Sequence, residues 1–285
     1  MYIPGRSIGE RTGRCWIAPP KALLKQTGVD WLMKIALVGD IHANLPALEA
    51  VLSHARQQSA AAIWNVGDII GYGAFPNQVI ELLREVRAIS IVGNYDIKVL
   101  NFPDKKSKWR KSKRSEKYTA FRWAHKQLSA SNRQYLSKLP QELRLNIAGR
   151  QFLLTHGSPV SNVEPLTAGT PEERLEQLSR IARAEVVICG HSHQPFARQV
   201  GGVLFINTGS VGRQGDGDPR ACYAILELAE GSFAVQHYRV EYDMERAAAA
   251  IRLAGLPEVF AQMLLRGYDL DAVLDDNEID ANEEL

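Results

Sequence analysis

Residues 33–42 read MKIALVGDIH, and this stretch decides the fold. The apolar run 34–38 stops at Gly39-Asp40, the pattern of a buried strand feeding a loop. Working outward, Leu45, Leu48, Leu52 and Ala55 recur at helical spacing over 45–56, with Asn44 as N-cap and Pro46 in the first turn. The unit then repeats. Residues 62–66 give a strand, Gly67-Asp68 a loop, and 76–86 a helix through Val79, Ile80, Leu83 and Val86. A third strand, 88–92, ends in Gly93-Asn94. Three strand–loop–helix units in succession predict an α/β fold with right-handed crossovers.

Downstream the pattern shifts to short strands. Residues 143–148 and 151–155 read as a hairpin about Gly149-Arg150, and 185–189, 203–206, 221–228 and 233–240 as four more strands. Between them 171–183 reads as a helix with Thr170 as N-cap and Glu172 and Glu173 in its first turn. After Asp243 two short helices follow, each stopped by glycine. The body is expected to be one domain, residues 33–268. Residues 1–32 lack helical or strand periodicity and the apolar core of a secretory signal, so a disordered extension is expected. Their basic, acid-poor composition also suits a transit peptide, though serine is scarce. Residues 269–285 carry Asp and Glu but no Lys or Arg, and read as an acidic, solvated, frayed end.

Composition narrows the classes. With 45% hydrophobic and 23% charged residues the chain is neither collagen-like nor wholly disordered, and no apolar stretch is long enough to span a membrane. A net charge of +2 does not make the whole molecule a nucleic-acid binder. One segment departs from that balance. Lys105 to Lys117, KKSKWRKSKRSEK, holds eight basic residues around Trp109. It reads as a solvated, flexible face, as an electrostatic funnel for a nucleotide or nucleic-acid substrate, or as a dock for the acidic tail. Cys15, Cys189 and Cys222 are too few and scattered for a disulfide framework or a cysteine zinc site, so a cytoplasmic setting is expected.

The chemistry sits at the strand ends. Asp40 and His42, Asp68, Asn94 and Asp96, His156, and His191 and His193 each follow an apolar run and lie beside glycine. In an open α/β sheet, ligands bind beyond the carboxyl ends of the strands, so these five segments are predicted to converge. A lone Gly-Asp after a strand is ordinarily a turn, but the conjunction is not. Asp96 aside, two Asp, four His and one Asn form a mixed oxygen and imidazole set suited to manganese, expected first, or to iron, zinc, nickel or cobalt. His54, His125 and His237 fall outside the pattern and read as surface or packing residues.

In this order GDIHAN, GD, GNYD, THG and GHSH resemble the calcineurin-like metallophosphoesterase superfamily, over about residues 34–240. GDIIGYG followed by PNQVIELLRE, and NTGSVG after the last histidine motif, resemble its compact prokaryotic phosphodiesterase branch. The resemblance implies a four-layer α/β/β/α sandwich with two divalent metal ions between its sheets. It would place Asp40, His42, Asp68 and His193 on the first ion. Asp68 would bridge to a second, completed by Asn94, His156 and His191. Two ions about 3.5–4 Å apart can share a hydroxide that attacks a phosphate ester in line, which is the expected reaction.

Two departures bear on substrate and mechanism. Where the superfamily's GNH motif carries a histidine thought to protonate the leaving group, this chain has Tyr95. A phenol, ordinarily of pKa about 10, is a poor acid at neutral pH, so Tyr95 either replaces the acid weakly or shapes the pocket. The arginine that phosphoprotein phosphatases carry after the second Gly-Asp is absent from GDIIGYG. Phosphodiesters are therefore expected as substrates. The alternatives are a phosphomonoesterase or phosphoprotein phosphatase, and a non-catalytic binding scaffold on the same fold. A scaffold is disfavoured because all seven expected ligands are present. The sequence does not fix the oligomeric state.

Overall fold

The carboxyl end of the first strand is where the architecture pivots, and a computed structural model describes residues 32–229 and 232–283 around it. The expected extension up to residue 31, with Cys15, lies outside the described residues. In chain order the elements are β1 (Met33–Val38), α1 (Leu45–Gln57), β2 (Ala62–Asn65), α2 (Pro76–Glu85), β3 (Ile89–Ser90), α3 (Asn94–Leu100), α4 (Phe102–Ser112), α5 (Ser115–Gln127) and α6 (Ala130–Lys138). The second half adds β4 (Glu142–Ile147), β5 (Arg150–Thr155), α7 (Glu172–Ala182), β6 (Val186–Cys189), β7 (Phe196–Val200), β8 (Val203–Asn207), β9 (Ala221–Ala229) and β10 (Ser232–Val240). Helices α8 (Met244–Leu253), α9 (Glu258–Arg266) and α10 (Leu270–Glu283) close the chain.

Two five-stranded sheets result, in the orders β10-β9-β1-β2-β3 and β4-β5-β6-β8-β7. The motif-bearing strands run parallel: β1 pairs with β2 from Ile35–Ala62 to Val38–Asn65, and β5 pairs with β6. Side chains alternate across each strand, so each sheet has two apolar faces to cover. Ile35 and Leu37 point between the sheets, where they meet Phe152, Leu154, Val186 and Ile188. Ala36 and Val38 point the other way, into a core shared with α1, α2, α5, α8 and α9. On the far side Leu153, Val187 and Phe205 pack against Leu175 and Leu178 of α7. These three cores separate four layers, the expected α/β/β/α sandwich. Trp64 joins the two sheets, its ring edge-on to Phe152 at 5.5 Å.

Several elements differ from the sequence reading. Strand β7 is absent from it because FARQV buries only its two end residues and carries Arg198 and Gln199 between them. Thr170 does not cap α7; Pro171 occupies that position, and the Thr170 hydroxyl instead accepts the Thr167 N–H at 2.9 Å. The basic segment is not a flexible run. It is helical across most of α4 and the start of α5, because Trp109 packs on Phe102 (6.3 Å) and Phe121 (5.5 Å) while the lysines point outward. The acidic end is not frayed at its start. It forms α10, with Leu270 and Val273 fully buried, and Asp271 reaches Arg114 (3.3 Å) and Lys117 (3.4 Å) of the basic segment.

Candidate metal centre

The loops after β1, β2, β3, β5 and β6 meet at one edge between the sheets, as the strand-end rule requires. Their backbones are unusual. Asp40 (φ 50°), His42 (49°), Asp68 (50°), His191 (67°) and His193 (60°) all adopt the left-handed region, five of the seven expected ligands. Each such non-glycine residue costs roughly 1–2 kcal/mol, a cost that persists only where surrounding contacts enforce it. Here they do. Asp40 N–H donates to the Gly67 carbonyl and His42 N–H to that of Asp68, both at 2.9 Å. The Asp40 carbonyl accepts from Gly212 N–H at 3.0 Å and from the Ser210 hydroxyl at 2.9 Å. Gly93, which caps α3, is held to glycine by space, since a Cβ there would collide with the Asp68 carboxylate.

Among the described residues two sets of side chains bring ligand atoms within 4.8 Å of one another: Asp40, His42 and His193, and Asp40, Asp68 and His156. His193 Nε2 lies 3.2 Å from Asp40 Oδ1 and 3.3 Å from His42 Nε2. Asp68 Oδ2 stands between His156 Nε2 (3.4 Å) and His42 Nε2 (3.8 Å). Asp40 is thus common to both tight sets, and Asp68 lies between the histidines of each. Asn94, the first residue of α3, is buried with its Oδ1 free of hydrogen bonds. His191 stands further out, its ring edge-on to His156 at 5.1 Å.

The donor set fits divalent cations. Asp40 Oδ1, Asn94 Oδ1 and His156 Nε2 are buried and lack any hydrogen-bond partner among the described residues, although buried polar atoms are ordinarily paired. Tautomers fit as well. His156 Nδ1 lies 2.9 Å from the Val66 carbonyl, so Nδ1 carries the proton and Nε2 offers its lone pair to the site. In His191 the roles exchange, because Nε2 faces the Val163 carbonyl at 3.1 Å and leaves Nδ1 free to ligate.

Electrostatics give the same reading. Burial opposes charge on His156, yet Asp68 and Asp40 outweigh it and push the imidazole up to about 9. Burial likewise holds His42 well below its usual range, with Asp68 opposing. For Asp40 and Asp68, burial is overcome by His193 and His156 respectively, so both carboxylates stay low. The two carboxylates hold positive charge in the cluster, and His156 is the imidazole that responds most plainly. Asp96 works beside the cluster, accepting N–H donors from Gly93 (2.9 Å), Ile69 (3.2 Å) and Ile70 (3.0 Å), which ties the loops carrying Asp68 and Asn94 together.

Tyr95 stands edge-on to His42 at 5.2 Å, and its hydroxyl meets that of Tyr72 at 3.1 Å. Residues the sequence reading did not single out also support the site. Asn207 Nδ2 holds the Gly190 carbonyl at 2.7 Å, and Ser210 holds Asp40; both belong to NTGSVG, whose turn-rich composition after an apolar strand was the available signal. His54, His125 and His237 pair with Tyr223, the Val99 carbonyl and the Asn207 carbonyl, all outside the cluster.

Residues 33–231 match the model of the calcineurin-like phosphoesterase superfamily domain. The chain belongs to that superfamily. It is 33% identical over 254 residues to an uncharacterized protein of Methanocaldococcus jannaschii, covering 82% of this chain and 98% of that one. It is 27% identical over 210 residues to phosphodiesterase YfcE of Escherichia coli, covering 69% and 88%. The crystal structure of a metallophosphoesterase from Sphaerobacter thermophilus superimposes with a TM-score of 0.69 at 32% identity, over 83% of this chain and 99% of that one. A hypothetical protein from Pyrococcus horikoshii OT3 shares the fold, with a TM-score of 0.74 at 22% identity over 82% and 98%. This member of the superfamily falls in the compact prokaryotic branch and is a phosphoric ester hydrolase, with Asp/His clusters able to hold divalent metal. No helix among its described residues is long and apolar enough to cross a membrane.

Proposed function

We propose that the enzyme hydrolyses phosphodiesters with two divalent metal ions, manganese first among the candidates, in the cytoplasm. The observation that carries this reading is the convergence of ligand side chains from five strand ends, with buried unpaired atoms on Asp40, Asn94 and His156 and left-handed backbone at Asp40, His42, Asp68, His191 and His193. Asp40, His42 and His193 would hold one ion and Asn94, His156 and His191 the other, with Asp68 between them. When bound, such ions supply Lewis-acid charge for the phosphoryl oxygens and acidify water.

The chain's own residues orient and enclose. Val66 and Val163 fix the tautomers of His156 and His191, and Asp96 holds the loops in register. Tyr95 serves as a wall, its hydroxyl engaged by Tyr72. The absence of an arginine after Gly67-Asp68 and of a histidine at position 95 favours diesters over phosphoprotein. Two buried free thiols, Cys189 and Cys222, suit a reducing compartment. Metal analysis combined with bis-para-nitrophenyl phosphate and para-nitrophenyl phosphate assays in Mn tests the reading. Bound metal with faster diester turnover is expected. Faster monoester turnover would favour the phosphatase, and no metal with no turnover would leave a binding scaffold.

A further inference from the structure

Beside the metal cluster lie two cations that nothing in the described chain neutralises. Arg213 sits with its guanidinium 4.4 Å above the Tyr72 ring, and no hydrogen bond or ion pair from that group to any described residue is present; its Nε is buried and unpaired. Asp269 and Asp68 act on it only through space. Lys98 lies half-buried, its Nζ 4.5 Å above the Tyr95 ring and 5.9 Å from Phe121, also without a carboxylate partner among the described residues. A guanidinium has five donors, and leaving them unused in a partly desolvated setting is costly unless a ligand takes them.

The two rings connect these cations to the site. Tyr72 and Tyr95 are joined through their hydroxyls, and both stand edge-on to His42, at 5.9 and 5.2 Å between ring centres. Arg213 and Tyr72 line one narrow recess with His42. Each cation is therefore set apart from His42 by one aromatic ring. The surrounding field points the same way. Burial, then Lys113, Lys117 and Arg213, hold the Lys98 ammonium below its ordinary range, with Asp68 opposing. Lys113 and Lys117 come from the basic segment, which therefore lies near enough to act on Lys98 through space.

We infer that Arg213 and Lys98, braced on Tyr72 and Tyr95, form a second phosphate subsite, so that the preferred substrate is a phosphate ester carrying a further phosphate on the same small molecule. Arginine's planar fork suits phosphate oxygens, and the lysine adds a point charge from the other ring. A compact pair of half-buried cations fits a discrete nucleotide-sized ligand. A continuous strand of nucleic acid would instead call for an extended groove with stacked bases. The inference rests on the proposed reaction for its first phosphate only.

Calorimetry with thymidine 5′-monophosphate and thymidine 3′,5′-bisphosphate, with and without added Mn, tests the subsite directly. The bisphosphate is expected to bind about tenfold or more tightly than the monophosphate, as one charge-assisted pair supplies. Arg213→Gln and Lys98→Met are each expected to bring the two affinities within about threefold, and Arg213→Lys to restore part of the preference. Circular dichroism checks that the variants fold, and the Lys98 variant decides the matter if Arg213→Gln does not. Equal affinity in the wild type, or an unchanged preference in both variants, overturns the subsite. A bisphosphate preference without any turnover of bis-para-nitrophenyl phosphate would sink the proposed reaction and leave the subsite standing. Turnover without the preference would do the reverse.

Discussion

The backbone N–H of Tyr95 donates to Asp68 Oδ1 at 2.7 Å, and this leaves Oδ2 facing His156 and His42. One oxygen is therefore spent on holding the loop that carries Asn94, and the other is turned toward the ligand cluster. Asp68→Asn keeps an acceptor for Tyr95 but removes the charge. The fold is expected to survive, metal content to fall, and turnover to drop by at least about 100-fold, since even outer partners of metal ligands cost 10–100-fold. Metal analysis by mass spectrometry beside circular dichroism checks this. Full metal occupancy with normal turnover would refute the role given to Asp68.

Asp96 is fully buried and accepts three backbone N–H groups. Burial and the neighbouring Asp68 charge push its carboxyl up to about 7, and the three amides pull against them. Asp96→Ala would strand those donors inside the protein. Hydrogen bonds to a charged acceptor contribute about 1.5–3 kcal/mol, so a loss of roughly 2–4 kcal/mol is expected in urea unfolding, together with weaker metal binding. A stable variant with unaltered metal affinity would show that the loops are held elsewhere.

What the sequence made legible followed from strong periodicity and from side-chain chemistry. The run 34–38 and the helix started by Asn44 are visible because apolar spacing and a cap agree, and Asn44 does accept the Ala47 N–H. The ligand segments were visible because Gly, Asp and His recur after apolar runs. The left-handed backbone at Asp40 and His193 was not, because these residues ordinarily avoid it and only tertiary contacts impose it. Helices α4 and α5 were hidden for another reason: Phe102, Trp109 and Phe121 are sparse among lysines and meet only once the chain folds back. Arg213 illustrates the remaining gap. Its number in the sequence says nothing about Tyr72, 141 positions earlier, whose ring it covers.

Helix α10 offers a test of the acidic end. Leu270 is 1% exposed and packs with the core beneath α8 and α9, while Asp271 bridges to Arg114 and Lys117. The ion pairs are exposed and contribute little on their own. The leucine is a different matter, because emptying a buried leucine site costs about 2–4 kcal/mol. Leu270→Ala should lower the melting temperature by several degrees, whereas Asp271→Ala should barely move it. If neither change is felt in calorimetric melting, the helix does not pack as described.

Tyr95 separates two accounts of leaving-group departure. Its hydroxyl is engaged by Tyr72 at 3.1 Å, and its ring lies edge-on to His42 beneath Lys98, the placement of a wall and a brace. Tyr95→Phe keeps the ring and removes the hydroxyl. General acid catalysis contributes about 10²–10⁴-fold, so an acid role would make this variant collapse on alkyl esters while sparing para-nitrophenyl esters, whose leaving group departs unaided. The wall reading instead expects a loss below about tenfold on both, since only one partly buried hydrogen bond between neutral groups disappears. Tyr95→His completes the comparison by installing a group of ordinary pKa about 6.5, better matched to neutral pH. A selective gain on alkyl esters in that variant would show that leaving-group protonation limits the native enzyme. No gain, with Phe close to wild type, would leave Tyr95 as structure, and departure would then draw its proton from solvent.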